Sequence, residues 1–80
     1  MVRIIADNVQ KLLSIRFKGV IKVHVVNYDT LVIDIINGNF VYHNVVTDVS
    51  TLVLNCYGSP YIADKISKDY RNKINSIFFK

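Results

Sequence analysis

The run from Val20 to Val46 constrains the fold more than any other part of the chain. Its apolar residues recur at every second position, and two turn signals interrupt it. Alternation of that kind specifies strands with one buried face, so the run reads as three antiparallel strands. In the first, Val20 to Val26, Ile21, Val23 and Val25 point one way and Lys22 and His24 the other. In the second, Thr30 to Ile36, Leu31, Ile33 and Ile35 oppose Val32, Asp34 and Ile36. Directly opposed residues of an antiparallel pair share a face. Pairing Val25 with Leu31 and Val23 with Ile33 satisfies that rule, sets Lys22 across from Asp34, and leaves Asn27-Tyr28-Asp29 as a three-residue loop. Asn37-Gly38 is a strong hairpin signal, because a type I′ turn needs positive φ at both central residues. It pairs Ile36 with Asn39, Ile35 with Phe40 and Ile33 with Tyr42.

One face of this meander is then wholly apolar and has to be covered by helices. The other carries Lys22, His24, Val26, Val32, Asp34, Ile36, Val41 and His43, with His24, Val32 and His43 forming one cross-strand row. Four aliphatic side chains at outward positions are more than a solvated face needs. Two readings stand side by side: β-branched residues favouring strands wherever they point, and a mixed surface meeting a partner. The two histidines of that row are a whole strand apart, about 9–10 Å at the backbone. With no third ligand in view, surface histidines fit better than a metal site, and no cofactor is expected.

The flanks carry a helical period. From Val2 to about Phe17, Ile5, Val9, Leu12, Leu13 and Arg16 recur at three- and four-residue spacing, and Asp7 and Lys11 are spaced as an i,i+4 pair. The helix ends between Leu13 and Lys18. A competing period from Ile15 through Phe17 and Gly19 would start the first strand earlier, with a bulge at Gly19. After Val46, Val49, Leu52, Val53 and Cys56 form a short stripe, with Thr47 or Asp48 as N-cap and Gly58 as the stop. Ser59-Pro60 opens a last helix in the manner of an N-cap followed by a first-turn proline. Its stripe is Ile62, Ala63, Ile66, Tyr70, Ile74, Ile77 and Phe78, and its exposed side offers Asp64–Lys68 and Asp69–Lys73 pairs. The fold class is therefore α+β: a three-stranded antiparallel meander with helices on one face, in the order α-β-β-β-α-α.

Eighty residues support one hydrophobic core and so one domain spanning positions 1–80. A hydrophobic fraction of 51% is high for so short a chain and points to a surface covered by a partner. Ten Lys/Arg against six Asp give a net charge of +4, spread without a basic run. Such a balance admits nucleic acid, with Arg3, Lys11, Lys65, Lys68 and Arg71 as candidate phosphate contacts, but ordinary solubility charge explains it more simply. The lone Cys56 excludes an intrachain disulfide and reads as a small core residue. A secretory h-region is missing from the N-terminus, and no apolar run approaches the roughly 20 residues of a membrane span, so a cytoplasmic location is expected. The six aspartates are dispersed, Cys56 is not placed beside either histidine, and three glycines make no phosphate loop. The chain is not expected to be an enzyme.

In element order the chain resembles the double-stranded-RNA-binding domain. That family clamps phosphate with a lysine cluster at the start of its last helix. Here the same place reads Ser59-Pro60-Tyr61-Ile62-Ala63-Asp64-Lys65, with one lysine and an aspartate. RNA binding is therefore not carried over. The run from Asp29-Thr30-Leu31 through Asn37-Gly38-Asn39-Phe40-Val41-Tyr42-His43 to Ser59-Pro60-Tyr61-Ile62-Ala63-Asp64-Lys65-Ile66 and Asp69-Tyr70-Arg71-Asn72-Lys73 is similar to small proteins encoded by phages and integrated elements of low-G+C bacteria. Their wealth of Ile, Asn, Lys and Tyr is shared. Some proteins of this size and element order are anti-CRISPR inhibitors, which bind a host effector complex and catalyse nothing. Many of those are acidic DNA mimics, whereas this chain is basic. The resemblance thus implies a protein-surface binder or a dimerising inhibitor acting in the host cytoplasm, its partner a host effector or a second copy. Its expected contact surface is the outward sheet face, Lys22, His24, Val32, Asp34, Val41 and His43.

Overall fold

The computed structural model describes residues 1–55 and 58–79. It holds α1 (Val2–Arg16), β1 (Val20–Asn27), β2 (Thr30–Asn37), β3 (Phe40–Val46), α2 (Val49–Leu54) and α3 (Gly58–Phe78). The strands form one antiparallel sheet in the order β1-β2-β3, so the fold is α+β with the expected α-β-β-β-α-α order. Cys56, assigned to the short stripe of α2, lies outside the described residues. Among the described residues no helix is long and apolar enough to cross a membrane.

The core is built on the inward face of the sheet. Leu31, Ile33 and Ile35 of β2 are fully buried, with Ile21 of β1 and Tyr42 and Val46 of β3 beside them. Ile5, Ala6, Val9 and Leu13 of α1, Val49 of α2, and Ile62, Ala63, Ile66 and Tyr70 of α3 close over them. Each fully buried aliphatic side chain contributes about 1.5–3 kcal/mol, so the three β2 residues outweigh any exposed polar contact. Tyr70 centres an aromatic group, its ring centroid 4.5 Å from Phe17, 5.5 Å from Phe40 and 5.7 Å from Tyr42. The Tyr42 hydroxyl donates to Asp69 at 2.5 Å and accepts from Asn44 at 2.8 Å. Burial, and after it the Asp69 carboxylate, push the Tyr42 pKa well above its ordinary value, so the phenol keeps its proton.

The first hairpin has the expected register, with Val25 opposite Leu31, Val23 opposite Ile33 and Lys22 opposite Asp34. Its loop is shorter than three residues: Asn27 pairs with Thr30, and the extra residue, Val26, is taken up as a bulge. The second hairpin differs from expectation by two residues. Asn37 pairs with Phe40, Ile36 with Val41, Ile35 with Tyr42 and Asp34 with His43, which makes Gly38-Asn39 the turn. Gly38 has φ +60° while Asn37 and Asn39 keep negative φ. Positive φ is thus confined to the first central residue, as in a II′ hairpin, where glycine adopts it without a Cβ penalty. A type I′ turn would have required it of Asn37 as well.

The helices depart from the sequence pattern in their termini. α1 ends at Arg16, and its guanidinium joins Asp64 of α3 at 2.5 Å and Ser67 at 3.3 Å, so Arg16 ends the stripe as a bridge between helices. Asp64 accordingly engages Arg16 instead of Lys68, whereas the Asp69–Lys73 pair forms at 3.8 Å. Neither Thr47 nor Asp48 caps α2 through its side chain; Asp48 sits in the left-handed region at φ 59°. The cap comes from the first hairpin turn. The Asp29 carboxylate accepts from the Ser50 amide at 2.9 Å and the Ser50 hydroxyl at 2.6 Å, and the Asp29 carbonyl accepts from the Val49 amide at 3.2 Å. Gly58 begins α3 and does not stop α2, which ends at Leu54. The α3 stripe is buried to Tyr70 and half-buried at Ile74, but Ile77 and Phe78 are exposed, because the helix runs past the body that would cover them.

Two outcomes follow from these contacts. Gly19 has φ +118°, and a Cβ there would lie 2.3 Å from the Ile36 carbonyl oxygen, whereas a Cβ on Gly38 meets nothing within 4 Å. Gly19→Ala should therefore cost more than about 3 kcal/mol, backbone displacement adding to strain, and Gly38→Ala the strain alone, about 1–3 kcal/mol; urea denaturation measures both, and equal losses would contradict the close approach. The Ser50 hydroxyl and amide hold Asp29 below the usual carboxylate range. A depressed folded-state pKa contributes stability that is complete above the unfolded value and lost as pH falls through the folded one. Asp29→Ala should lower the Tm at pH 7, with the gap to wild type narrowing below about pH 4.

Candidate functional site

Alternation along three strands leaves a second set of side chains on the face away from the helices. Val20, Val26, Val41 and Val45 are each at least half exposed there, and Val32 and Ile36 are half-buried between them. At the centre lies a polar group that the second hairpin's register creates. With β3 shifted by two residues, His43 stands directly opposite Asp34, and Asp34 stands opposite Lys22. The His43 Nδ1 is 2.5 Å from the Asp34 Oδ1, and the His24 Nε2 is 3.9 Å from its Oδ2. One carboxylate therefore faces two imidazoles from the neighbouring strands. Lys22, although opposite Asp34, makes no ion pair with it.

The expected row of His24, Val32 and His43 is thereby corrected: His24 and Val32 align, and Val45 completes that row. The two-residue shift is even, so every residue keeps its face, and Lys22, His24, Val32, Asp34, Val41 and His43 do share one surface. What the pattern missed is the direct Asp34–His43 contact, because alternation fixes faces and not the pairing along them. Among the described residues no three of His, Cys, Asp or Glu are placed to hold a metal ion together.

The five cationic residues expected for nucleic acid are divided by the fold. Lys68 and Arg71 line an open groove of about 610 Å³ with Arg16, Asp64, Ser67, Asn72 and Asn75. Lys65 lies in the adjoining depression with Asn44, Lys68, Asp69 and Asn72. Arg3 is elsewhere, beside His24 at the margin of β1, and Lys11 is on the outward side of α1 with Asp7. Two of the helix cations are also held against rings: the Arg71 guanidinium lies 5.8 Å from the Phe17 centroid and the Lys73 ammonium 4.9 Å from that of Tyr42.

Compared with known proteins, the chain matches no protein-family model, no curated protein and no solved structure.

Because these polar side chains stand on the solvent side of an independently packed core, their removal should leave the fold standing. Asp34→Ala and His43→Ala should each shift stability by about 1 kcal/mol or less, whereas Ile33→Ala on the opposite face of the same strand should cost about 2–5 kcal/mol. Chemical denaturation of the three variants checks the contrast.

Proposed function

We infer that this protein acts by binding another protein, without catalysis, through the open face of its sheet, and that the bound component is a bacterial defence effector, as in the inhibitors its sequence resembles. The observation that carries the reading is the composition of that face. Four half-exposed valines surround a compact polar centre, Lys22, His24, Asp34 and His43, on a sheet whose other side already satisfies the core. Apolar ground supplies affinity on water exclusion, and a small number of charges set orientation. Lys22 is suited to a partner carboxylate. A His–Asp pair becomes catalytic only beside a nucleophile or a bound substrate in a cleft. Beside Asp34 and His43 this face holds Val, Ile, Lys22 and His24, with no hydroxyl or thiol among them, which supports the binding reading over an enzymatic one.

The test pairs Lys22→Glu with Val32→Lys, two changes at the centre of the face that leave the core side untouched. Immobilised wild-type protein, exposed to lysate from bacteria carrying a defence effector complex, should retain a component of that complex. The double variant should retain at least about tenfold less, equivalent to a loss of 1.4 kcal/mol, with an unchanged circular dichroism spectrum. Equal retention by both would overturn the sheet-face assignment, and failure of the wild type to retain any such component would overturn the defence reading.

A second reading has one observation in its favour: Lys65, Lys68 and Arg71 share the exposed side of α3 with Asn72 and Asn75. That is a cationic strip suited to a phosphate backbone. Phosphate binding weakens steeply with salt, by close to one power of salt concentration per contact. If the strip binds nucleic acid, Lys68→Ala with Arg71→Ala should lower the affinity for duplex DNA or RNA at 50 mM salt and reduce the salt slope by about two.

A further inference from the structure

We propose that the outer edge of β3 pairs with the same edge of a second copy of this chain, joining two three-stranded sheets into one of six strands. The two edges of the sheet are unequally protected. β1 carries two of the usual deterrents to edge pairing, a lysine at Lys22 and a bulge at Val26. β3, Phe40-Val41-Tyr42-His43-Asn44-Val45-Val46, has no lysine, proline or bulge along its seven residues. Among the described residues none of the turn, cap or side-chain hydrogen bonds involves its main chain, so the N–H and C=O groups facing away from β2 are left for an extended backbone.

The occupant is specified by the strand itself. His43 is the midpoint of β3, so a two-fold axis through it gives full overlap, with Val41 opposite the partner's Val45 on the open face and Tyr42 opposite the partner's Asn44 on the core side. β3 carries no lysine, arginine or carboxylate, and on the axis His43 stands opposite the partner's His43, each imidazole held by the Asp34 of its own sheet. Beneath the edge runs an open trough of about 470 Å³ between β3 and the Lys73, Ser76 and Ile77 side chains of α3. The Lys73 charge there is met by Asp69 at 3.8 Å. Past the trough Ile77 is 53% exposed and Phe78 68%. An axis perpendicular to the sheet keeps both helical layers on one side. Isologous two-fold pairing of this kind is the commonest form of soluble oligomer.

Pairing also bears on the open face, because it makes the two faces continuous and sets two His24–Asp34–His43 groups side by side. It does not depend on the identity of what that face binds, and the two are read by different experiments: oligomeric mass for pairing, retention of an effector component for the face. Light scattering of the purified protein at micromolar concentration should give twice the 9.2 kDa chain mass. Val41→Lys with Val45→Lys should raise the dissociation constant at least about 100-fold, the scale expected for charging a central contact. Val20→Lys, on the same face but at the far edge, should leave the dimer intact. Hydrogen exchange should show the outward β3 amides protected in the wild type and fast in the Val41/Val45 variant, with β2 amides slow in both; this separates lost pairing from lost folding. A monomeric wild type, a dimer that survives the Val41/Val45 change, or one that Val20→Lys disrupts equally would each overturn the proposal.

Discussion

The burial of Leu31, Ile33 and Ile35 beneath α1 and α3 is the interaction on which the rest of this small fold stands. β2 is hydrogen-bonded on both sides, so its backbone is satisfied while its inward side chains are sealed from water. A chain of 80 residues has room for one such centre. The remaining devices hold the helical layer in place over it: the ring contacts of Tyr70, the Tyr42–Asp69 hydrogen bond, and the Arg16 bridge to Asp64. The last of these links residues 48 positions apart and ties the first helix to the third.

With the inward face fully committed, the outward face is under little structural obligation. Its valines and its Asp34–His43 contact add little to a core that is complete without them, since exposed ion pairs contribute about 0–1 kcal/mol. A surface that is apolar where stability does not require it is the ground on which the proposed partner would dock. The same asymmetry separates the two sheet edges, one equipped against pairing and the other bare.

Much of this was legible in the sequence, for a definite reason. Period-two alternation assigns each residue of Val20 to Val46 to a face, and a shift of two residues along a strand changes no assignment. The sheet, its inward row and the membership of the outward face could therefore be read directly. The partner of His43 could not, because Asn37-Gly38 and Gly38-Asn39 are both acceptable turns and choosing between them needs the φ that each central residue must adopt. Long-range polar contacts were also out of reach: Arg16 looked like the end of an apolar stripe, and Asp29 looked like a loop residue. Periodicity likewise placed Ile77 and Phe78 on the buried side of α3 without revealing that the body ends before them. A 21-residue helix is about 31 Å long and a seven-residue strand about 24 Å, so the last turn has little beneath it.

The contact between Asp29 and α2 sets an order of events. Six residues are too few to hold a helix in water by themselves, and the groups that begin α2 are satisfied by a turn 20 positions earlier in the chain. That turn has its shape only once β1 and β2 have paired. α2 is therefore conditional on the first hairpin: as the chain folds, it forms after the sheet has begun to close, and it is lost when the hairpin opens. In this molecule the second helix reports whether the first turn has been made.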